Sequence, residues 1–152
     1  MIAFVVIALI NSIIREKRDS SPLTKEIVSD YLKAKDQLRY NARDKVWSFV
    51  CDDSTFMLYT YECGLQLTIG FSTGSKVNEK VLDEVIEHFN KNYVMMRVDR
   101  NDIDQVFVSA YTLVMNLRQL REVLPVLIND LQESQTILYS LYLEKLSKTK
   151  EE

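Results

Sequence analysis

The sequence predicts an α+β domain: an antiparallel sheet of about five strands with helices on one face, preceded by an apolar N-terminal helix. Two patterns indicate this class. Between residues 45 and 73, apolar and polar residues alternate with a period of two, as in half-buried antiparallel strands. On either side, apolar residues recur at helical spacing. Only three glycines and two prolines interrupt the 152 residues, which favours long elements joined by short turns.

The first half of the domain predicts one helix and three strands. Ser21 is positioned to cap a helix over about residues 22–34, with Pro22 in its first turn. The charged stretch Lys33–Lys45 is predicted to be a connector in which Leu38 and Tyr40 touch the core. Three strands follow, and their predicted bounds are 46–51, 55–61 and 65–72.

The second half predicts a helix, two strands and a long terminal helix. Asn78 is positioned to cap a helix that ends near Asn90. Strands are predicted over 93–98 and 105–114, joined by a polar hairpin loop. The last helix is predicted over 116–147, and Pro125 is expected to kink or divide it. The predicted organisation is thus an N-terminal helix over 1–18, a single domain over 19–147 and a frayed tail over 148–152.

The N-terminal segment is a candidate membrane anchor. Residues 1–14 are almost wholly apolar, but as a helix they reach only about 21 Å, short of the hydrocarbon core of a bilayer. The basic flank on its C-terminal side predicts that the domain lies in the cytoplasm, at the inner face of the membrane. Packing of this helix on the protein's own core is the alternative. The predicted membrane-contact residues are Phe4, Val5, Ile7, Leu9, Ile10, Arg15, Lys17 and Arg18.

Charge and cysteine content exclude several classes of function. Residues 46–152 carry ten basic and sixteen acidic side chains, which disfavours a nucleic-acid partner. Cys51 and Cys63 are the only cysteines and His88 is the only histidine, so neither a disulfide framework nor a zinc site is expected. We expect reduced cysteines in strands, with a hairpin disulfide as the alternative. No metal and no other cofactor is predicted.

No set of residues predicts catalysis. His88 lies beside the apolar stripe of its helix without a nucleophile motif, so a structural or solvated role is expected. Asp99, Asp102 and Asp104 lack the glycine of a calcium loop and are predicted to be a solvated hairpin. A solvated acidic helix face is predicted for Asp83, Glu84 and Glu87. Packing between strands, with some binding potential, is predicted for Tyr59, Tyr61, Tyr93 and Tyr111.

The order of elements over residues 22–140 resembles the YbjN-like domains. The segment Glu87-His88-Phe89-Asn90, which precedes an extended Tyr93–Val98, is similar to the helix end of that family, where an aromatic residue is followed by asparagine. These bacterial domains are labelled sensory transduction regulators and share the fold of type III secretion chaperones. The resemblance implies a curved antiparallel sheet, a tendency to dimerise, and binding of extended client segments rather than turnover of a substrate.

The sequence therefore predicts a non-enzymatic protein-binding module of chaperone-like fold, regulatory and tethered to a membrane. The partner is expected to be a protein client, and the chain is expected to form a homodimer. The alternative function is a small-ligand sensor with a pocket between sheet and helices. The last helix outruns a five-stranded sheet, so its second half is expected to expose apolar residues. The predicted partner-binding residues there are Leu138, Leu141, Tyr142 and Leu146.

Overall fold

A computed structural model describes residues 12–73, 77–101 and 105–149 of the chain. Residues 12–19 are helical. Three further helices are α1 (Lys25–Leu32), α2 (Glu79–Asn92) and α3 (Leu117–Thr149). The six strands are β1 (Asp36–Asn41), β2 (Val46–Cys51), β3 (Ser54–Tyr61), β4 (Gly64–Ser72), β5 (Met96–Arg100) and β6 (Gln105–Leu113).

The strands form one antiparallel sheet in the order β1-β2-β3-β4-β6-β5. The first four strands are consecutive in the chain and pair through short turns. The chain then leaves the sheet through α2, returns at the far edge as β5, and β6 closes the gap between β5 and β4. The α+β class and the antiparallel sheet are confirmed, with six strands instead of about five.

Strand β1 is the element that the sequence pattern did not predict. Its sequence, DQLRYN, is mostly polar, and only Leu38 and Tyr40 are partly buried against the core. An edge strand needs few apolar residues because one of its sides meets water, so its alternation is weak. The predicted contacts of Leu38 and Tyr40 with the core are confirmed, although they lie in a strand and not in a connector.

The core lies between one face of the sheet and the helices. Leu65, Leu67 and Ile69 of β4 are fully buried, because β4 is central and α3 packs against it. Trp47 of β2 donates a hydrogen bond from Nε1 to the Ser29 hydroxyl of α1, at 2.9 Å, which fixes α1 over the same face. The stripe of α3 that meets the sheet comprises Leu117, Leu120, Leu124, Ile128 and Leu131.

Pro125 was predicted to kink or divide the terminal helix. Helix α3 is continuous through Pro125, so the division is wrong. Proline removes one backbone hydrogen bond and crowds the preceding turn. Here Leu124 and Ile128, on both sides of the proline, are buried in the core. Burial of a side chain of that size contributes about 1.5–3 kcal/mol, so the packing offsets the local cost. The helix also includes Lys148 and Thr149, which were predicted to fray; residues 150–152 lie outside the described residues.

The helix starts follow capping chemistry, with one correction. Asn78 caps α2 as predicted, because its side-chain oxygen accepts a hydrogen bond from the Val81 amide at 3.2 Å. Helix α1 is capped by Thr24 and not by Ser21. The Ser21 hydroxyl instead donates to the Lys17 carbonyl, at the end of the N-terminal helical segment. Pro22 lies outside α1 and forms an isolated antiparallel bridge with Asn116.

The segment between α2 and β5 also differs from the prediction. Helix α2 continues to Asn92, and β5 begins only at Met96. Residues 93–95 are apolar and were predicted to open a strand, but Val94 and Met95 form an exposed turn. Tyr93 stacks on Phe89, with ring centroids 4.3 Å apart, and so ends the helix against the core.

Asn90 closes the outer edge of β5. Its side-chain amide donates from Nδ2 to the Val98 carbonyl at 2.8 Å and accepts from the Val98 amide at Oδ1, also at 2.8 Å. The side chain thus occupies the two backbone groups that a further strand would use. Unpaired edges invite pairing with other chains, so this residue protects the edge of the sheet.

Replacing Asn90 with alanine is expected to destabilise the fold by about 1–3 kcal/mol, because both backbone groups of Val98 lose their partner. Denaturant unfolding would measure this change, and light scattering would detect edge-to-edge association. Asn92→Ala is the matched control, since that side chain bonds only within its own helix end. Equal stability of the two variants would contradict the role of Asn90.

Candidate functional site

The face of the sheet opposite the helices is a candidate contact surface of the described chain. Alternation along the strands places the core residues on the helix side and a second set on the other side. No helix of the described residues packs on this second side, which we call the open face. Among its members from β2, β3, β4 and β6 are Val46, Ser48, Val50, Thr55, Met57, Tyr59, Tyr61, Gln66, Thr68, Gly70, Phe107, Ser109 and Tyr111.

None of these thirteen residues carries a charge. Charged side chains of the sheet's open side belong to the edge strands, such as Arg97 and Asp99 of β5, which pair with each other at 3.1 Å. Interfaces between proteins have the same arrangement, with charge depleted in the centre and polar residues at the rim. The open face therefore has the composition of a protein-contact surface.

A line of hydrogen bonds crosses the centre of the open face. The Tyr61 hydroxyl donates to Gln66 Oε1 at 3.0 Å, and Gln66 Nε2 donates to Thr68 Oγ1 at 3.3 Å. Thr68 and Ser109 then share a hydrogen bond across the β4–β6 pair, at 2.9 Å. Since Thr68 is only 5% exposed, this bond keeps a buried hydroxyl satisfied and fixes the polar groups in place.

Two glycines of β4 let aromatic rings lie across the strand. A side chain at Gly70 would meet the Phe107 ring at about 3.0 Å, and one at Gly64 would meet the Tyr111 hydroxyl at 2.7 Å. Phe107 is the cross-strand partner of Gly70. The rings therefore occupy the space that larger residues would fill at these two positions.

Tyrosines supply most of the aromatic area of this face. Tyr61 and Tyr111 are exposed, and their ring centroids lie 5.8 Å apart. Tyr59 is half-buried, and burial raises the pKa of its hydroxyl above the ordinary value. The hydroxyl thus stays protonated at neutral pH and can donate a hydrogen bond. Tyrosine combines an apolar ring with a polar tip, which suits contact surfaces.

A separate apolar pocket of about 160 Å³ lies on the helix side of the sheet. It is bordered by the ends of β4 and β6, by α2 and by the second half of α3. The Tyr142 hydroxyl accepts a hydrogen bond from the Asn78 amide at 2.9 Å, which ties α3 to the start of α2 beside the pocket. The lining residues include Phe71, Val77, Leu82, Val106, Leu138 and Tyr142.

The predicted partner-binding residues of α3 mostly face the protein itself. Leu138 is 4% exposed and belongs to the core, so the expectation that it is exposed is wrong. Leu141 and Tyr142 are partly buried against the core, and Leu146 is half-buried. The apolar stripe of α3 extends beyond the sheet because α3 packs there on α2. Lys145 of α3 also pairs with Glu84 of α2 at this contact, at 2.9 Å. The exposed apolar residues of this half of α3 are Tyr139 and Leu143.

The predicted membrane-contact residues are only partly described. Phe4, Val5, Ile7, Leu9 and Ile10 lie outside the described residues. Arg15, Lys17 and Arg18 lie on the helical segment 12–19, where Arg18 pairs with Asp30 of α1 and Arg15 approaches Asp19 at 4.0 Å. None of the helices in the described ranges is long and apolar enough to cross a bilayer.

The candidate chemical groups are dispersed in the described chain. His88 is exposed and lies beside Asn92, one turn further along α2. Asp83 pairs with Arg100 at 3.0 Å and Glu87 with Lys91 at 2.6 Å, while Asp102 and Asp104 lie outside the described ranges. Burial raises the pKa of the Cys51 thiol, which lowers its reactivity. Among the described residues, no group of three or more acidic, histidine or cysteine side chains could hold a metal ion.

The comparison with known proteins gives a structural relative. A scan against models of protein families and a search of curated proteins both find no match. The crystal structure of YbjN, a proposed transcription regulator from E. coli, matches 85% of this chain and 97% of its own, with a TM-score of 0.50 and 10% identity. The chain has a YbjN-like fold. This confirms the resemblance indicated by the order of elements.

The YbjN-like fold by itself assigns no site, because the similarity at 10% identity is one of fold. The open face was not predicted as a unit, although Tyr59, Tyr61 and Tyr111 were predicted to have binding potential. A signal was present: the outward positions of β2, β3, β4 and β6 contain no charged residue, whereas a merely solvated face usually contains several.

Leu138→Asp is expected to lower the free energy of unfolding by about 3 kcal/mol or more, since it removes a buried leucine and buries a carboxylate. Leu143→Asp, at an exposed position of the same helix, should stay within about 0.5 kcal/mol of the wild type. Urea unfolding of both variants would test this. A stable Leu138→Asp protein would show that the second half of α3 does not pack as described.

Proposed function

We propose that this chain is a non-enzymatic regulatory module that binds a protein partner on its open face and is held at the inner face of a membrane by residues 1–14. One observation carries the binding role: four adjacent strands present tyrosine, methionine and phenylalanine without a single charged side chain. Tyrosine, methionine and phenylalanine are enriched, and charge is depleted, in the centres of protein interfaces.

The geometry of the face favours a partner that lies flat on it. The face is rigid because hydrogen bonds and ring packing fix its side chains, so little conformational entropy is lost on binding. Its two depressions are shallow and lie at opposite ends, one beside Tyr111 and one beside Phe107. A partner segment with apolar residues spaced along the sheet would fill both depressions and cover the polar line between them.

The regulatory part of the proposal rests on the YbjN-like fold and on the description of YbjN as a proposed transcription regulator. The tether rests on the apolar sequence of residues 1–14 and on the basic residues that follow it. Catalysis is not part of the proposal, since the candidate groups of the described chain lie apart from one another.

Tyr111→Ser is expected to weaken partner binding at least about tenfold, because it removes an exposed aromatic ring of the open face, and an aromatic anchor of an interface commonly contributes about 2 kcal/mol. The wild-type full chain and the Tyr111→Ser chain would each be expressed in the source cells and captured by affinity. The proteins bound to each would then be compared quantitatively. Val126→Ser, at an exposed position of α3, is the matched control. Equal melting temperatures of the three proteins would show that the fold is intact.

A protein captured by the wild type and the Val126→Ser control but lost from Tyr111→Ser would support the open face as the binding site. Identical sets of proteins on all three would contradict it. A second copy of the chain is one partner that this test covers. Light scattering would then show a doubled mass for the wild type that Tyr111→Ser returns to the mass of one chain.

The apolar pocket favours a second candidate function, that of a small-ligand sensor. Its volume of about 160 Å³ is close to that of an engineered cavity that binds benzene. The O–H group of Tyr142 lies in the lining and can donate to a bound molecule. The pocket thus suits an uncharged molecule of one ring with a single hydrogen-bond acceptor.

Phenol or anisole at about 100 times its Kd should stabilise the chain by about 2.7 kcal/mol if the pocket binds it, which raises the Tm by several degrees. Val77→Phe, which fills the pocket, should remove the shift, whereas Val126→Phe on the surface should keep it. Melting curves with and without the compounds would measure this. A flat response across a panel of one-ring compounds would count against the sensor.

A further inference from the structure

Several apolar side chains at one end of the sheet are unusually exposed in the described chain. At this end β3 turns into β4, β6 finishes and β5 begins. Val94 and Met95, in the turn before β5, are 90% and 77% exposed, and Leu113 and Met115, at and after the end of β6, are 71% and 61% exposed. We call these four residues the apolar end. They are four of the five most exposed large apolar residues of the described chain.

Nothing in the turn or strand geometry requires apolar residues at these positions. Single exposed apolar side chains are ordinary, but several together at one end of a protein mark a contact surface. The apolar end adjoins the open face, because Val94 and Met95 border the depression beside Tyr111, and Leu113 lies on the same side of β6 as Tyr111. It projects from the end of the sheet, whereas the open face lies along its strands.

The N-terminal helical segment reaches the same end of the molecule. Pro22 bridges to Asn116, which directly follows Met115, and Asp19 pairs with Arg121 of α3. Ser12 lines a shallow depression together with Asn116 and Arg118. Ten of residues 1–11 are apolar. The apolar leader therefore joins the described structure beside the apolar end.

We propose that the apolar end is a second lipid contact, so that the domain rests with this end on the bilayer to which residues 1–14 attach it. This inference rests on the tether of the proposed function. A helix of residues 1–14 would reach only about 21 Å, which fits insertion into the interface better than spanning. Because Ser12 lies beside Asn116, insertion of the leader brings Met115 to the level of the lipid head groups.

The charges at this end make the contact mainly apolar. The basic residues of the N-terminal segment and of α3 largely have acidic partners, since Arg18 pairs with Asp30 and Arg118 with Glu122. Attraction to anionic lipid, about 1 kcal/mol for each unpaired basic residue, is therefore limited. We expect the domain to settle on neutral as well as anionic bilayers, with a weak dependence on salt.

The native cysteine at this end provides a reporter. Cys63 is exposed in the turn between Tyr61 and Gly64, beside the apolar end. In the full chain with Cys51→Ser, it can carry a fluorophore whose emission rises in an apolar environment. The control carries the same label through Thr55→Cys, with Cys51→Ser and Cys63→Ser. Thr55 lies at the other end of β3, about 20 Å away.

Vesicles of phosphatidylethanolamine with phosphatidylglycerol, and vesicles of phosphatidylcholine alone, would be added to both labelled chains. The emission of the Cys63 label should rise with both compositions, and that of the Thr55→Cys label should not. Val94→Ser with Met95→Ser should weaken vesicle binding by about tenfold, because two apolar side chains no longer enter the lipid. Ile7→Asp should abolish binding by disabling the tether.

The outcomes separate this inference from the proposal on which it rests. If the full chain does not bind vesicles at all, the tether is wrong, and the second contact fails with it. If the chain binds but the Cys63 label does not respond and the Val94→Ser, Met95→Ser variant binds as tightly as the wild type, only the second contact is overturned.

Two further outcomes would assign the apolar end to another occupant and overturn the inference. Without vesicles, a change in the Cys63 label caused by Ile7→Asp would mean that the chain's own leader covers this surface. A dimer in light scattering that Val94→Ser with Met95→Ser converts to single chains would mean that a second copy covers it.

Discussion

Leu65, Leu67 and Ile69 of β4 are fully buried beneath α3, and the other elements are arranged around this contact. Strand β4 is central, so its side chains are surrounded by those of β3 and β6. Successive side chains of β4 point to opposite faces of the sheet. For each residue that α3 buries, a neighbouring residue therefore faces the other side. The open face is therefore a direct consequence of placing the helices on only one side of the sheet.

The two edges of the sheet are both protected, so the proposed partner site is its open face and not a strand edge. Asn90 occupies the outer backbone groups of β5 at Val98. At the opposite edge, the pairing of β1 shifts register between Asp36 and Arg39, and Gln37 has a positive φ of 51°. Irregular pairing and charged residues both oppose the addition of a strand. Side-chain contacts on the open face are thus favoured over strand addition.

The elements that were predicted well have strong local signals. The alternation of β4 and the capping of α2 by Asn78 each depend on a few residues that are adjacent in the sequence. The errors arise where tertiary packing decides. Strand β1 pairs with β2 although its sequence is polar, and α3 continues through Pro125 because the core holds both sides.

The candidate site was predicted less well than the fold, for the same physical reason. Whether Leu138 is core or surface depends on where α2 lies, and helical periodicity does not contain that information. Conversely, Val94 and Met95 have the composition of a strand, and only their position between Tyr93, stacked on Phe89, and β5 makes them an exposed turn. The sequence pattern therefore locates the apolar residues but does not decide which are buried, as with Leu138, or exposed, as with Val94 and Met95.

The open face and the apolar end can act together because they differ in direction. Each strand of the sheet extends between the apolar end and the opposite end, where Gly70 of β4 lies. A lipid surface at the apolar end would therefore lie across the strand ends and not along the face. The depression beside Phe107 would then be the part of the open face furthest from the bilayer. Tyr111 would be nearest to it, because this residue lies two positions before Leu113. In the proposed arrangement the open face would stay accessible while the rotation of the domain is restricted, which would lower the entropic cost of meeting a partner on the same membrane.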